Sequence, residues 1–145
     1  MKKIGMVLCV LFLSGCASTT QYVPFPNEKN TVDDSSKGRI YLIRPTHFGF
    51  AVPMSISDNG KPIGKTLGHS FLSWETAPGH TNLIGKAETE ETLPVFVKEG
   101  ERIYVKQSVE MGIIMARNSL SPIDETTAKK YLSDMKPPKV DLNKK

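Results

Sequence analysis

The sequence predicts a mainly β domain: an antiparallel β-sandwich of about seven to eight short strands, followed by one C-terminal helix. Eleven glycines and ten prolines in 145 residues favour turns over long helices. Short apolar segments are separated by turn signals at intervals of about eight to twelve residues, a spacing typical of sandwiches. Hydrophobic residues make up 39% of the chain and charged residues 23%, which excludes a multi-span membrane protein and a wholly disordered chain.

Residues 1–15 predict a cleaved lipoprotein signal peptide. Lys2 and Lys3 precede an uncharged apolar stretch, residues 4–13. As a helix this stretch is about 15 Å long, against a hydrocarbon layer of about 30 Å, so it suits a secretory signal and not a membrane span. The Leu-Ser-Gly sequence that leads into Cys16 resembles the bacterial lipobox, in which the cysteine is joined to diacylglycerol before cleavage.

This resemblance implies that Cys16 becomes the first mature residue and carries acyl chains such as palmitate, which hold the protein on a membrane. Neither Ala17 nor Ser18 is acidic, so lipoprotein sorting favours the outer membrane, with the domain facing the periplasm. Once Cys9 is removed and Cys16 is lipidated, the mature chain has no free thiol and forms no disulfide. The covalent lipid is the only non-protein group that we expect.

Residues 16–37 predict a flexible lipidated tether, because the stretch is polar, contains two prolines and has no hydrophobic period. A random coil of this length spans on the order of 25 Å. Tyr22, Val23 and Phe25 either pack back on the domain or form a peptide-like ligand for another protein.

Residues 38–120 predict the β-sandwich. The apolar run 39–44 ends at Pro45 and suits a strand that is covered on both faces. A second strand alternates apolar and polar residues over 52–56. The Asn59-Gly60 pair then predicts a hairpin, because both turn positions of such a hairpin need positive φ angles. The return strand is 61–66, and its Pro62 marks the edge of a sheet.

The remaining predicted strands are 71–76, 81–86, 93–98, 102–110 and 113–120. Glu99-Gly100 predicts a second hairpin between the third and fourth of these. Within 102–110 the alternation places Ile103 and Val105 on one face and Tyr104 on the other, with Gln107 among the apolar positions.

Residues 121–136 predict the helix, which packs on the domain. Ser121 suits a capping position, Pro122 the first helical position, and Asp124 completes a pattern like a capping box. Apolar residues recur at helical spacing up to Met135, and one face docks on the sheet or covers an open edge. Residues 137–145 predict a disordered basic tail, either solvated or in contact with anionic lipid headgroups or cell-wall polymer.

The region 38–110 resembles a family of small bacterial lipoproteins of unknown function. The resemblance is carried by the run 38–45, the Phe/Gly-rich loop 47–50, the turn 59–64, the Ala-Pro-Gly-His sequence 77–80 and the segment 99–104. It implies a β-sandwich on a lipid anchor and no established activity. Two of these segments, 60–64 and 77–80, also look like β repeats of cell-surface and peptidase-accessory domains, which act as spacers or binding modules.

The sequence offers few candidate catalytic or metal-ligating residues. His47, His69 and His80 lack the local spacing of a zinc site, so they are expected as surface or turn residues. The chain has no Gly-x-Ser-x-Gly elbow, no phosphate-binding glycine loop and no dinucleotide fingerprint. The formal net charge of +4 is too mild to indicate nucleic acid. We therefore expect no catalytic residues, no metal ligands and no nucleic-acid partner.

Two aromatic positions remain. Phe48 and Phe50 flank Gly49 outside any clean alternation, and they either form an apolar lip for a ligand or partner or close the open end of the core. Trp74 alternates with Leu72 and is expected in the core. The sequence therefore predicts a non-enzymatic lipoprotein that binds another envelope protein or cell-wall polymer, or braces an assembly. The alternatives are a cell-envelope enzyme and a carrier of a small ligand inside the sandwich.

Overall fold

The computed structural model describes residues 34–111 and 116–135, and it confirms a β-sandwich with a C-terminal helix. The elements are β1 (Gly38–Arg44), β2 (Met54–Asp58), β3 (Lys61–Thr66), β4 (Ser70–Thr76), β5 (Gly79–Lys86), β6 (Glu90–Val97), β7 (Arg102–Met111), β8 (Ala116–Ile123) and α1 (Glu125–Ser133). The predicted signal peptide, Cys16, the tether up to residue 33 and the basic tail lie outside the described residues. No helix in the described ranges has the length and apolar character of a membrane crossing.

The strands form two four-stranded sheets. Sheet A has the order β4-β1-β7-β8 and sheet B has the order β3-β2-β5-β6. The β1–β7 pair is parallel, with Ile40 beside Ile103, whereas the other paired strands are antiparallel. The sandwich is therefore not wholly antiparallel, because the chain alternates between the sheets and returns β7 to sheet A in the direction of β1. We name the two ends of the sandwich the Gly38 end and the Arg44 end, after the ends of β1.

The prediction of a hairpin at Glu99-Gly100 is wrong. Strand β6 belongs to sheet B and β7 to sheet A, so residues 98–101 cross between the sheets. The turn itself is present, since Gly100 has a φ of +68° and its N–H donates to the Lys37 carbonyl at 3.0 Å. A Glu-Gly pair signals a reversal of the chain but carries no information on which sheet the next strand joins.

The Asn59-Gly60 hairpin between β2 and β3 is confirmed. Asn59 has a φ of 47° and Gly60 a φ of 80°, the positive values that a two-residue hairpin turn requires. Strand β3 lies at the edge of sheet B, as Pro62 predicted. Val52, by contrast, precedes β2 and is 41% exposed, so it does not belong to the alternating strand.

The space between the sheets is filled by nine buried apolar side chains, namely Ile40, Leu42, Ile56, Leu72, Trp74, Leu83, Val97, Val105 and Leu120. This confirms Trp74 as a core residue. Strand β1 is buried along its whole length, because its alternate residues Tyr41 and Ile43 face α1 on the other side of sheet A. The prediction of a strand covered on both faces is therefore confirmed.

Buried polar groups connect the sheets on both sides of this apolar centre. Towards the Gly38 end, Asp58 accepts hydrogen bonds from Trp74 Nε1 at 2.9 Å and from the Thr81 hydroxyl. Towards the Arg44 end, the Thr66 hydroxyl donates to Gln107, whose Nε2 donates to Asn118 Oδ1 at 3.1 Å. Because a buried polar group is costly without a partner, these bonds favour one alignment of the two sheets.

The helix begins later than predicted. Residues 121–123 belong to β8, where Ser121 pairs with Lys106 of β7. Strand β8 is an edge strand, which is where Pro122 is tolerated. Asp124 is the N-cap: its carboxylate accepts from the Thr127 N–H at 2.9 Å, and the hydrogen bonds from Thr127 lower its pKa. A Ser-Pro pair suits both an edge strand and a helix start, so the local signal could not distinguish them.

Helix α1 packs on the outer face of sheet A. Ala128, Leu132 and Met135 contact the buried cluster of that face, which also contains Tyr41, Ile43, Phe71 and Tyr104. The rings of Tyr41 and Tyr104 stack there with centroids 5.1 Å apart. The expectation that one helix face docks on the sheet is confirmed.

Candidate docking surface at the Arg44 end

Four large apolar side chains are exposed together at the Arg44 end. Phe48, Phe50 and Val52 lie in the loop between β1 and β2 and are 52%, 68% and 41% exposed. Leu67, in the turn between β3 and β4, is 45% exposed. Single exposed apolar residues are ordinary, but a group presented by two adjoining loops is typical of an interaction surface. We call these four residues the apolar rim.

The two loops of the apolar rim are joined by their backbones. The N–H of Gly68 donates to the Phe50 carbonyl at 3.0 Å, and the N–H of His69 donates to the Thr46 carbonyl at 3.0 Å. A Cβ on Gly68 would lie 2.5 Å from the Phe50 Cα atom, so only glycine allows this approach. Phe50 and Leu67 therefore belong to one continuous surface.

A buried arginine holds the larger loop in place. The Arg44 side chain is fully buried, and it donates from Nη1 to the Val52 carbonyl at 2.7 Å and from Nη2 to the Gly49 carbonyl at 2.8 Å. Burial lowers the pKa of Arg44, yet a guanidinium is basic enough to stay protonated at neutral pH. The loop is thus ordered from within, and less conformational entropy remains to be lost on binding.

Two histidines brace the same end. The rings of His47 and His69 stack with centroids 4.3 Å apart. The ring nitrogens of His69 lie 3.3 Å from the Pro45 carbonyl and 3.0 Å from the Asp134 carbonyl, which connects the loop to the end of α1. His80 lies on sheet B, edge-on to Phe96. The three histidines are half-buried or exposed, as predicted, and only two of them come together.

Several polar side chains that could carry chemistry have structural partners. The Ser70 hydroxyl donates to the Leu67 carbonyl at 2.7 Å and closes a turn. In residues 34–111 and 116–135, no three His, Cys, Asp or Glu side chains are placed to hold a metal ion. Two acidic side chains also have structural partners: hydrogen bonds from Ser36 lower the pKa of Asp34, and Glu91 accepts from the Leu120 N–H at 2.9 Å.

A groove of about 750 Å³ lies at the opposite, Gly38 end of sheet A, where β7 begins, β8 ends and α1 starts. We call it the Arg102 groove, and it is lined by Ser35, Gly100, Arg102, Ile103, Tyr104, Pro122, Ile123 and Glu125. Burial, together with the nearby negative charge of Glu125, raises the pKa of the Tyr104 hydroxyl. The groove therefore combines apolar walls with a neutral hydroxyl and a charged residue of each sign.

The structure bears on one of the two interpretations of the Phe48–Phe50 loop. Both rings are exposed at the surface, so they do not close the core. Contact of these rings with a ligand or partner stays a prediction. Sequence reasoning missed Leu67, Gly68 and the role of Arg44. The signal for Arg44 was available: an arginine ends a run of apolar residues, so its buried guanidinium needs hydrogen-bond acceptors, and the loop that follows offers its backbone carbonyls.

Comparisons of the chain with protein families, curated proteins and solved structures found no match. The resemblance to the uncharacterised lipoprotein family and the lipid anchor at Cys16 therefore stay predictions.

Proposed function

We propose that the protein is a lipid-anchored, non-enzymatic module of the bacterial envelope, facing the periplasm, that uses the apolar rim to bind another envelope protein. The observation that carries this proposal is the apolar rim itself. It exposes Phe48, Phe50, Val52 and Leu67 on loops that the buried Arg44 holds in place. Apolar side chains that are fixed in an exposed position favour contact with a partner over a structural role inside the chain.

The direction of the chain supports this role. The Asp34 N–H donates to Glu75 at the end of β4 at 3.2 Å, so the chain that arrives from Cys16 joins the domain at the Gly38 end. The seven residues of β1 then lead to the opposite end, over a length of about 20 Å. The apolar rim thus lies away from the point where the tether attaches, which suits a surface offered to a partner above the membrane.

The small size of the apolar rim is compatible with binding because of the anchor. Four exposed side chains belong to the class of small, transient interfaces, which bury less than about 1,200 Å². Attachment at Cys16 confines the domain to within a tether length of one membrane and raises its concentration near other membrane-bound proteins. A weak interface is sufficient under these conditions.

Two observations favour this proposal over the alternatives. Nine apolar side chains fill the space between the sheets, where a carrier would need an apolar cavity. His47 and His80 lie apart, so they do not form the acid–base cleft that an envelope enzyme of this chain would use.

Photo-crosslinking in cells tests the proposal. A photoreactive residue at Phe50 is expected to give a discrete adduct with an envelope protein, whereas one at Thr92, exposed on the outer face of sheet B, gives none. Phe48→Ser combined with Leu67→Ser should abolish the Phe50 adduct. Equal adducts at both positions would contradict the proposal. The anchor is tested separately, since Cys16→Ala should lose fatty-acid label and leave the membrane fraction.

A further inference from the structure

We propose that the Arg102 groove receives residues 22–25 of the same chain, so that the tether folds back on the domain and shortens. The occupant is an intramolecular peptide, Tyr22-Val23-Pro24-Phe25. This inference rests on the proposed function only where it concerns the distance between the domain and the membrane. The docking itself needs no lipid.

The position of the groove supports a cis occupant. Ser35 lines the groove, and Asp34, where the described chain begins, is its neighbour. Gly100 also lines the groove, next to Ser35, and donates its N–H to the Lys37 carbonyl at 3.0 Å, so the incoming chain is fixed against the groove. The residues upstream of Asp34 therefore start beside the proposed binding site.

The linker between Phe25 and the groove is long enough for docking. Nine residues, 26–34, separate Phe25 from Ser35. As a random coil they span about 17 Å, and fully extended about 30 Å. A peptide on such a short linker has an effective concentration in the millimolar range at its own domain. An intrinsic affinity of about 1 mM is thus enough to keep the groove occupied for a large part of the time.

The side chains of residues 22–25 are chemically complementary to the lining of the Arg102 groove. Tyr22 and Phe25 are the only aromatic residues between Cys16 and the start of β1. The groove offers apolar contact at Ile103, Pro122 and Ile123. Pro24 and Pro26 restrict the segment to an extended conformation, which lowers the entropy lost on docking.

Docking changes the distance between the domain and the membrane. Only residues 17–21 then remain between Cys16 and the docked peptide, a span of about 17 Å when fully extended. The Gly38 end of the sandwich is held close to the membrane surface, and the apolar rim points away from it. Release of the peptide restores the longer reach of the whole tether.

Disulfide trapping in the full chain tests the docking. With Cys9→Ala and Cys16→Ala, the only thiols are an introduced pair, and lipidation plays no part. The test pair is Asn27→Cys with Glu125→Cys in the groove. The control pair is Asn27→Cys with Phe96→Cys, which is exposed on sheet B near the Gly38 end. We expect the test pair to form an intramolecular disulfide at least about 10-fold faster than the control pair.

Variants of the peptide complete the experiment. Tyr22→Ser with Phe25→Ser should reduce the rate of the test pair to that of the control pair, whereas Thr19→Ala with Thr20→Ala on the same tether should leave it unchanged. Equal rates for the two pairs overturn the proposal, as does a disulfide that forms between two chains, which would make a second copy the occupant. Because the assay contains no lipid, failure of the anchor at Cys16 leaves its result unaffected.

Discussion

Replacement of Arg44 by Met is the most direct test of how the apolar rim is held. Methionine keeps an unbranched apolar side chain in the buried site but removes the guanidinium. The change therefore deletes the hydrogen bonds to the Val52 carbonyl at 2.7 Å and the Gly49 carbonyl at 2.8 Å, and a longer one to the Thr66 carbonyl at 3.4 Å. The core around β1 keeps most of its volume, so the effect reports on the loop.

The magnitude follows mainly from the two short bonds, to Val52 and Gly49. A hydrogen bond to a charged group contributes about 1.5–3 kcal/mol, so the two together contribute about 3–6 kcal/mol before compensation. Part of this is recovered, because a buried guanidinium no longer has to be desolvated and the freed carbonyls can bind water. We expect the free energy of unfolding to fall by about 2 kcal/mol, which lowers Tm by about 10 °C for a domain of about 100 residues.

Calorimetry of Arg44→Met beside the wild type measures the loss, with Lys61→Met on the exposed edge strand as control. Hydrogen exchange identifies its location: the amides of Val52 and Gly68, which bond to the Gly49 and Phe50 carbonyls, should exchange faster. An unchanged Tm together with unchanged exchange at these two amides would refute the reasoning.

Three further changes probe other parts of the fold. Gly68→Ala forces the β3–β4 turn away from Phe50 and should cost about 1–3 kcal/mol in thermal unfolding, whereas Gly60→Ala meets no atom within 4 Å and strains only its turn. Trp74→Phe removes a donor to buried Asp58 and should cost about 1–3 kcal/mol in urea unfolding; an unchanged midpoint contradicts this. The pKa of Asp124 is lower in the folded than in the unfolded chain, so its carboxylate stabilises the fold above the unfolded pKa, near 3.9, and this stabilisation is lost as pH falls through the folded pKa. Asp124→Ala should therefore reduce the loss of unfolding free energy at acid pH. An unchanged loss would exclude this role.

The sequence predicted most strands because their signals are local. The apolar run of β1, the Asn59-Gly60 turn and the alternation in β7 depend on neighbouring residues only. Trp74 was placed in the core on the same basis. The crossing between β6 and β7 was missed, since the choice of sheet depends on the packing of distant strands, and no local pattern encodes it.

The candidate site was predicted only in part, for a related reason. The Phe48–Phe50 loop was recognised from its composition, but its exposure depends on Arg44, which binds the loop from inside the sandwich. Leu67 joins the apolar rim because Gly68 allows two loops to touch. Such contacts between residues far apart in the chain become visible only once the sheets are assembled.

The outer edge of β8 is a poor template for strand addition by a second molecule. Its alternate N–H groups at Asn118 and Leu120 donate to side chains of Thr89 and Glu91, and the next position of the same register is Pro122, which has no N–H. An approaching strand of a second molecule finds these positions without a free amide donor. The chain thus protects this edge of sheet A with side chains from the start of β6, a neighbouring strand of the other sheet, and from the residue just before it.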